Sequence, residues 1–136
     1  MSTMTDIRWK LRFENLKKAF SRLEEACNRQ QYSNLELAGL VQTFEFTFEL
    51  CWKTLKDLLI YEGCEVNSPR EVIRKAFEMS LIDDVDRWFN ALESRNVLCH
   101  LYNEPAAKQA EHLIKTEFEP MLRKCIATLQ ERMVKE

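Results

Sequence analysis

The sequence predicts an all-α protein, an up-and-down four-helix bundle with one additional short helix, and three observations carry that expectation. Apolar residues recur at spacings of three and four, and no stretch alternates at two as a strand would. Gly and Pro number only two and three in 136 residues, too few for the hairpin turns of a sheet protein. The breaks between periodic stretches carry helix-capping chemistry. A chain of this length holds one core of useful size, so residues 1–136 are expected to form a single domain.

Trp9, Phe13, Leu16, Phe20, Leu23 and Cys27 form one apolar seam on a helix of roughly 7–30, and the polar run 30–34 stops and restarts the chain. The next helix, 34–62, is apolar on two sides. Leu37, Leu40, Phe44, Phe48, Cys51 and Leu55 mark the broad face; Phe46, Leu50 and Tyr61, with Thr43, Thr47 and Thr54, mark a second, lightly polar one. Four helices leave no enclosed centre for such a helix, so the second face is expected to meet another subunit. Gly63 suits a left-handed cap after it. Ser68-Pro69-Arg70-Glu71 reads as a capping box that opens the short helix, 69–79. Asp83 or Asp84 caps a helix through Val85, Trp88, Phe89, Leu92, Asn96 and Cys99. A last helix, 105–134, turns Leu113, Phe118, Leu122, Cys125, Leu129 and Met133 inward, and Pro120 should kink or split it near Glu117.

Composition narrows the function. Net charge is −2, from 20 basic and 22 acidic residues, so any contact with RNA must be local and made by a few arginines. Arg70, Arg74 and Lys75 are one small basic patch, either a solvated face or a contact for RNA or a partner. The five cysteines show no C-x-x-C spacing, which argues against a zinc site and a disulfide framework and for buried reduced thiols. With only His100 and His112 besides, no metal and no cofactor are expected, and His112 reads as a surface residue. No apolar run approaches a membrane span, and residues 1–6 lack the apolar core of a signal peptide. A soluble cytoplasmic protein without a membrane role is the expectation.

One string concentrates chemistry: Arg95-Asn96-Val97-Leu98-Cys99-His100-Leu101-Tyr102-Asn103. Arg, Asn, His and Tyr crowd a helix end whose earlier turns are ordinary core. Cleavage of RNA by its own 2′-hydroxyl needs a base for that proton, an acid for the leaving 5′-oxygen, and positive charge at phosphorus. A histidine near neutrality serves as base or acid, and a guanidinium clamps phosphate oxygens. Neither role needs a metal. On a continuous helix Arg95 and His100 would stand about 140° apart, so the helix ends or bends near Cys99, or two motifs combine across a dimer. Structural roles stay open: Arg95 as a charge at a helix C-terminus, His100 as a capping residue, Tyr102 as an interface tyrosine, Asn96 as an orienting group and Asn103 as an N-cap.

The pattern Arg95-x-x-x-x-His100-x-Tyr102 resembles that of the HEPN superfamily. Phe44-Glu45-Phe46-Thr47-Phe48-Glu49-Leu50-Cys51-Trp52-Lys53-Thr54-Leu55-Lys56 and Tyr61-Glu62-Gly63-Cys64-Glu65-Val66-Asn67-Ser68-Pro69-Arg70-Glu71-Val72-Ile73-Arg74 resemble one branch of it, the nucleotidyltransferase substrate-binding protein family. The resemblance runs over roughly residues 7–134. It implies a helical bundle, commonly a homodimer, similar to the accessory domain of antibiotic nucleotidyltransferases and paired with a separately encoded minimal nucleotidyltransferase. It implies that relatives with the full motif are metal-independent ribonuclease toxins with the nucleotidyltransferase as antitoxin. Arg95 and His100 would then be catalytic, Asn96 supporting, and Tyr102 the acceptor of AMP from the partner. Two functional readings follow: a ribonuclease toxin acting on RNA, or a non-catalytic substrate-binding subunit of a two-component nucleotidyltransferase. An unrelated helical adaptor is the third.

Overall fold

The computed structural model describes residues 3–98 and 104–135, and of 95–98 and 104 the backbone alone. Among them the regular elements are all helical: α1 (Met4–Cys27), α2 (Asn34–Tyr61), α3 (Pro69–Glu78), α4 (Val85–Leu98), α5 (Glu104–Leu113) and α6 (Glu119–Lys135). A π-helical turn, Ile114–Phe118, joins α5 to α6 in one continuous rod. Four long rods and the short α3 give the expected bundle.

Each boundary has a local cause. The hydroxyl of Thr3 accepts the backbone N–H of Asp6, starting α1 three residues before the apolar seam suggests. Ser33 and Glu36 make a reciprocal capping box at the head of α2. At α3, Ser68 caps as expected and Pro69 opens the helix, but the Glu71 carboxylate takes the Ser68 hydroxyl. Asp84 caps α4 by accepting from Arg87 N at 3.2 Å. Gly63, at φ 91°, closes α2: Cys64 N–H donates to Leu59 O and Gly63 N–H to Ile60 O. Ser80 makes the same turn after α3 at φ 61°, with Leu81 N–H on Ala76 O at 2.8 Å.

The core is a single cluster around α2, which packs on α1, α3, α5 and α6. Arg12 meets Asp57 and Thr47 meets Ala19, so α1 and α2 run antiparallel. A line of rings crosses the bundle. Phe118 of the π turn stacks on Phe44 at 5.1 Å, Phe44 lies 5.9 Å from Phe48, and Phe48 lies 5.9 Å from Trp88 of α4. Such pairs add orientation to large apolar burial.

Much of the second face of α2 is covered within the chain, contrary to the expectation that four rods leave no room. Thr47 and Thr54 are fully buried and turn their hydroxyls onto the carbonyls of Thr43 and Leu50. Leu50 and Tyr61 pack half-buried against the core. Phe46 alone of that face is left out, 60 % exposed. Pro120 has the expected effect in a particular form. It has no N–H for a helical bond, and the turn before it widens so that Glu119 N–H donates to Ile114 O.

Candidate functional site at the end of helix α4

Helix α4 is held at its start by Asp84 and along its inner face by Trp88, Ala91 and Leu92, all three buried. Arg87 ties the same stretch to the π turn, its Nε 3.5 Å from both Asp84 and Glu117. The last turns of α4 are thus carried on a fixed base. Arg95 and Asn96 belong to those turns by backbone; their side chains lie outside the described residues. His100, Tyr102, Cys99 and Asn103 lie outside the described residues altogether.

The ground beside them is described. Helix α3 packs along α4. Arg70 and Arg74, one turn apart on α3, both lie over the ring of Phe89 on α4, with Cζ 5.5 and 5.9 Å from its centroid. Arg70 Nη2 donates to Glu93 at 3.3 Å. Arg74 forms no ion pair with a described residue. By helical register, Phe89, Glu93 and position 96 fall on one stripe of α4. Lys75, the third member of the patch read from sequence, is turned to Glu78 at 3.3 Å. Sequence reasoning took Phe89 for plain core; the four-residue spacing of Arg70 and Arg74 was the available signal that something lay beneath both.

Away from this end, the thiols of Cys51 and Cys125 face each other 3.7 Å apart, and both are buried. The contact with Cys125 and burial together push the Cys51 thiol well above the ordinary range. Cys27 is pushed up to about 11, first by burial and then by Glu119. Cys125 also floors a cavity of about 230 Å³ under the α3–α4 turn, lined by Ser80, Trp88, Met121 and Lys124. The four described cysteines are free thiols, Cys27 and Cys64 half-buried. His112 is exposed. Among the described residues no three His, Cys, Asp or Glu side chains gather to hold a metal ion, and no helix is long and apolar enough to cross a membrane.

Comparison with known proteins adds four findings. The model of a family described as nucleotidyltransferase substrate binding protein like matches residues 11–131. A Haemophilus influenzae protein named "Probable ribonuclease HepT" is 29 % identical over 76 residues, which are 52 % of this chain and 52 % of that protein. The chain thus spans about half the length of the curated relative it matches. A Thermus thermophilus crystal structure is 31 % identical, with TM-score 0.77 over 84 % of this chain and 98 % of that one. A Haemophilus influenzae structure, described as revealing the fold of a substrate binding domain of a nucleotidyltransferase, is 25 % identical, with TM-score 0.77 over 87 % and 98 %.

Proposed function

The chain belongs to the nucleotidyltransferase substrate binding protein like family, and from that premise we propose that it is the HEPN-type partner of a separately encoded minimal nucleotidyltransferase, acting as a metal-independent ribonuclease toxin. The observation that carries this reading is the string Arg95-x-x-x-x-His100-x-Tyr102 at the end of α4, inside the matched residues 11–131. The partial match to a protein named a ribonuclease supports it.

In this reading His100 takes the proton of an RNA 2′-hydroxyl or returns one to the leaving 5′-oxygen. Arg95 stabilises the charge gathering on the phosphoryl oxygens, and Asn96 orients them. The 2′-oxygen bonds to phosphorus, the 5′-oxygen leaves, and a 2′,3′-cyclic phosphate remains. Tyr102 accepts AMP from the partner, which silences the site. The working unit is a two-fold homodimer in the cytoplasm. Exposed Phe46 supports a second copy against α2, and the absence of a membrane-crossing helix among the described residues agrees with that location.

Purified protein should cut RNA in EDTA and leave cyclic phosphate ends. His100→Ala and Arg95→Ala should each cost about 10²- to 10⁴-fold, while Tyr102→Phe should cut normally yet resist AMP transfer. A wild type that never cuts RNA refutes the ribonuclease. The second reading then stands: a substrate-binding subunit, favoured by the description of the Haemophilus influenzae structure, with Arg95 as a nucleotide or partner contact.

A further inference from the structure

We propose that Arg70 and Arg74, stacked side by side on Phe89, form a ledge that carries the backbone of single-stranded RNA toward the end of α4; the inference rests on the ribonuclease reading above. Two arginines one turn apart repel each other in a bare helix. Here one ring holds both guanidiniums, at 5.5 and 5.9 Å, and both residues are exposed. A stacked guanidinium spends its face on the ring and keeps its N–H edge for another acceptor.

The neighbouring carboxylates are turned to partners other than Arg74. Glu71 is engaged with Ser68, Glu78 with Lys75, and Glu93 with Arg70. Arg74 has no such partner among the described residues. An anion at Arg74 would supply what the fold leaves out and relieve the repulsion between the two cations. Its planar fork fits the oxygens of a phosphate. Guanidinium planes over an aromatic ring also suit stacking by an unpaired base, the mode by which proteins hold single strands without reading sequence. Location singles out the occupant. Phe89 and Glu93 share their stripe with position 96, and residue 95 is roughly 9 Å along the axis from residue 89 at the helical rise per residue. A strand lying on the ledge therefore runs alongside the turns that carry Arg95 and Asn96.

The test separates this ledge from the reading it rests on. The probe is a fluorescein-labelled, mixed-sequence single strand, fully 2′-O-methylated so that it cannot be cut. Its binding is followed by anisotropy across a salt series, beside cleavage of the unmodified RNA. Arg70→Gln with Arg74→Gln should weaken probe binding and flatten the dependence of log affinity on log salt by about 0.7, for the one phosphate contact that Arg74 is left to make. Arg74→Lys should keep the slope, and Phe89→Leu should weaken binding with both charges in place. If the double variant binds and cuts as the wild type does, the ledge is wrong and the ribonuclease stands. If the wild type binds the probe through the ledge but cuts nothing, the ledge stands and the ribonuclease falls. A wild type that neither binds nor cuts overturns both.

Discussion

Asp57→Asn should make the protein more stable at neutral pH, against the usual expectation for removing half of an ion pair. Asp57 sits on α2 against α1, only 7 % exposed. The Nε of Arg12 stands 3.2 Å from its Oδ2, close enough for an ion pair, yet out of line for a hydrogen bond, and Oδ2 has no donor. Burial pushes the Asp57 carboxyl above its usual range, and the nearby charges of Arg12, Arg8 and Lys56 only partly oppose it. The native state therefore holds the Asp57 proton more tightly than the unfolded chain does. The stability this contributes is fully present below the ordinary value near 3.8, and it is lost as pH rises through the raised native value. At neutral pH the wild type bears the whole cost of an ionised buried group; asparagine bears none of it. A buried polar atom without its partner is costly, and more so when charged; asparagine keeps the atom and sheds the charge, a gain on the order of 1–2 kcal/mol, while the lost pair with part-exposed Arg12 returns up to about 1 kcal/mol. The net is about 1 kcal/mol, or about 4 °C in melting temperature for a chain of this size. Thermal melts by circular dichroism at neutral pH and near pH 4 check both sign and window. An asparagine variant that melts below the wild type at neutral pH, or whose advantage grows on acidification, refutes the reasoning.

Two other variants test separate parts of the structure. Ser80→Gly should raise stability by about 0.5–1 kcal/mol in denaturant melts, because a side chain at φ 61° strains the left-handed turn after α3 and glycine's freer unfolded chain takes back only part of the gain; no change would mean that the turn is unstrained. Phe46→Asp should leave helicity intact and shift sedimentation from dimer to monomer if that exposed ring meets a second copy; an unchanged dimer would move the interface elsewhere.

Sequence periodicity carried most of the fold because the buried residues recur at helical spacing, on one face of α1 and on more than one face of α2. Trp9 through Leu23 and Leu37 through Leu59 face inward as their spacing indicates, and Ser68-Pro69, Gly63 and Pro120 act where they stand. The Ser33-x-x-Glu36 box carries the same signature and marks the start of α2 to the residue, but the reading of 30–34 as a polar restart passed over it. Other features had no local signature. Ser80 takes a position usually filled by glycine, so nothing in its identity announces the turn. The Arg12–Asp57 pair, the facing thiols of Cys51 and Cys125, and the ring beneath Arg70 and Arg74 each join residues from different helices. Composition alone picked out the string from Arg95 to Tyr102, since four reactive residue types in a core helix end are conspicuous without any coordinates; its side chains lie outside the described residues.

The π turn before Pro120 also sets a phase. Ala110, Ile114, Phe118 and Leu122 are all buried and follow one another at intervals of four, a spacing that drifts off the face of an ordinary helix but matches a widened turn. The widened turn Ile114–Phe118 works as a vernier, absorbing the roughly 100° that one extra residue would add, so that both halves of the rod present their apolar edge to α2. Closing that turn into an ordinary helix with every residue kept would leave α6 in register and swing α5 around its axis. Whatever α5 carries at its head, including the chain arriving from the end of α4, would be re-aimed by the same angle.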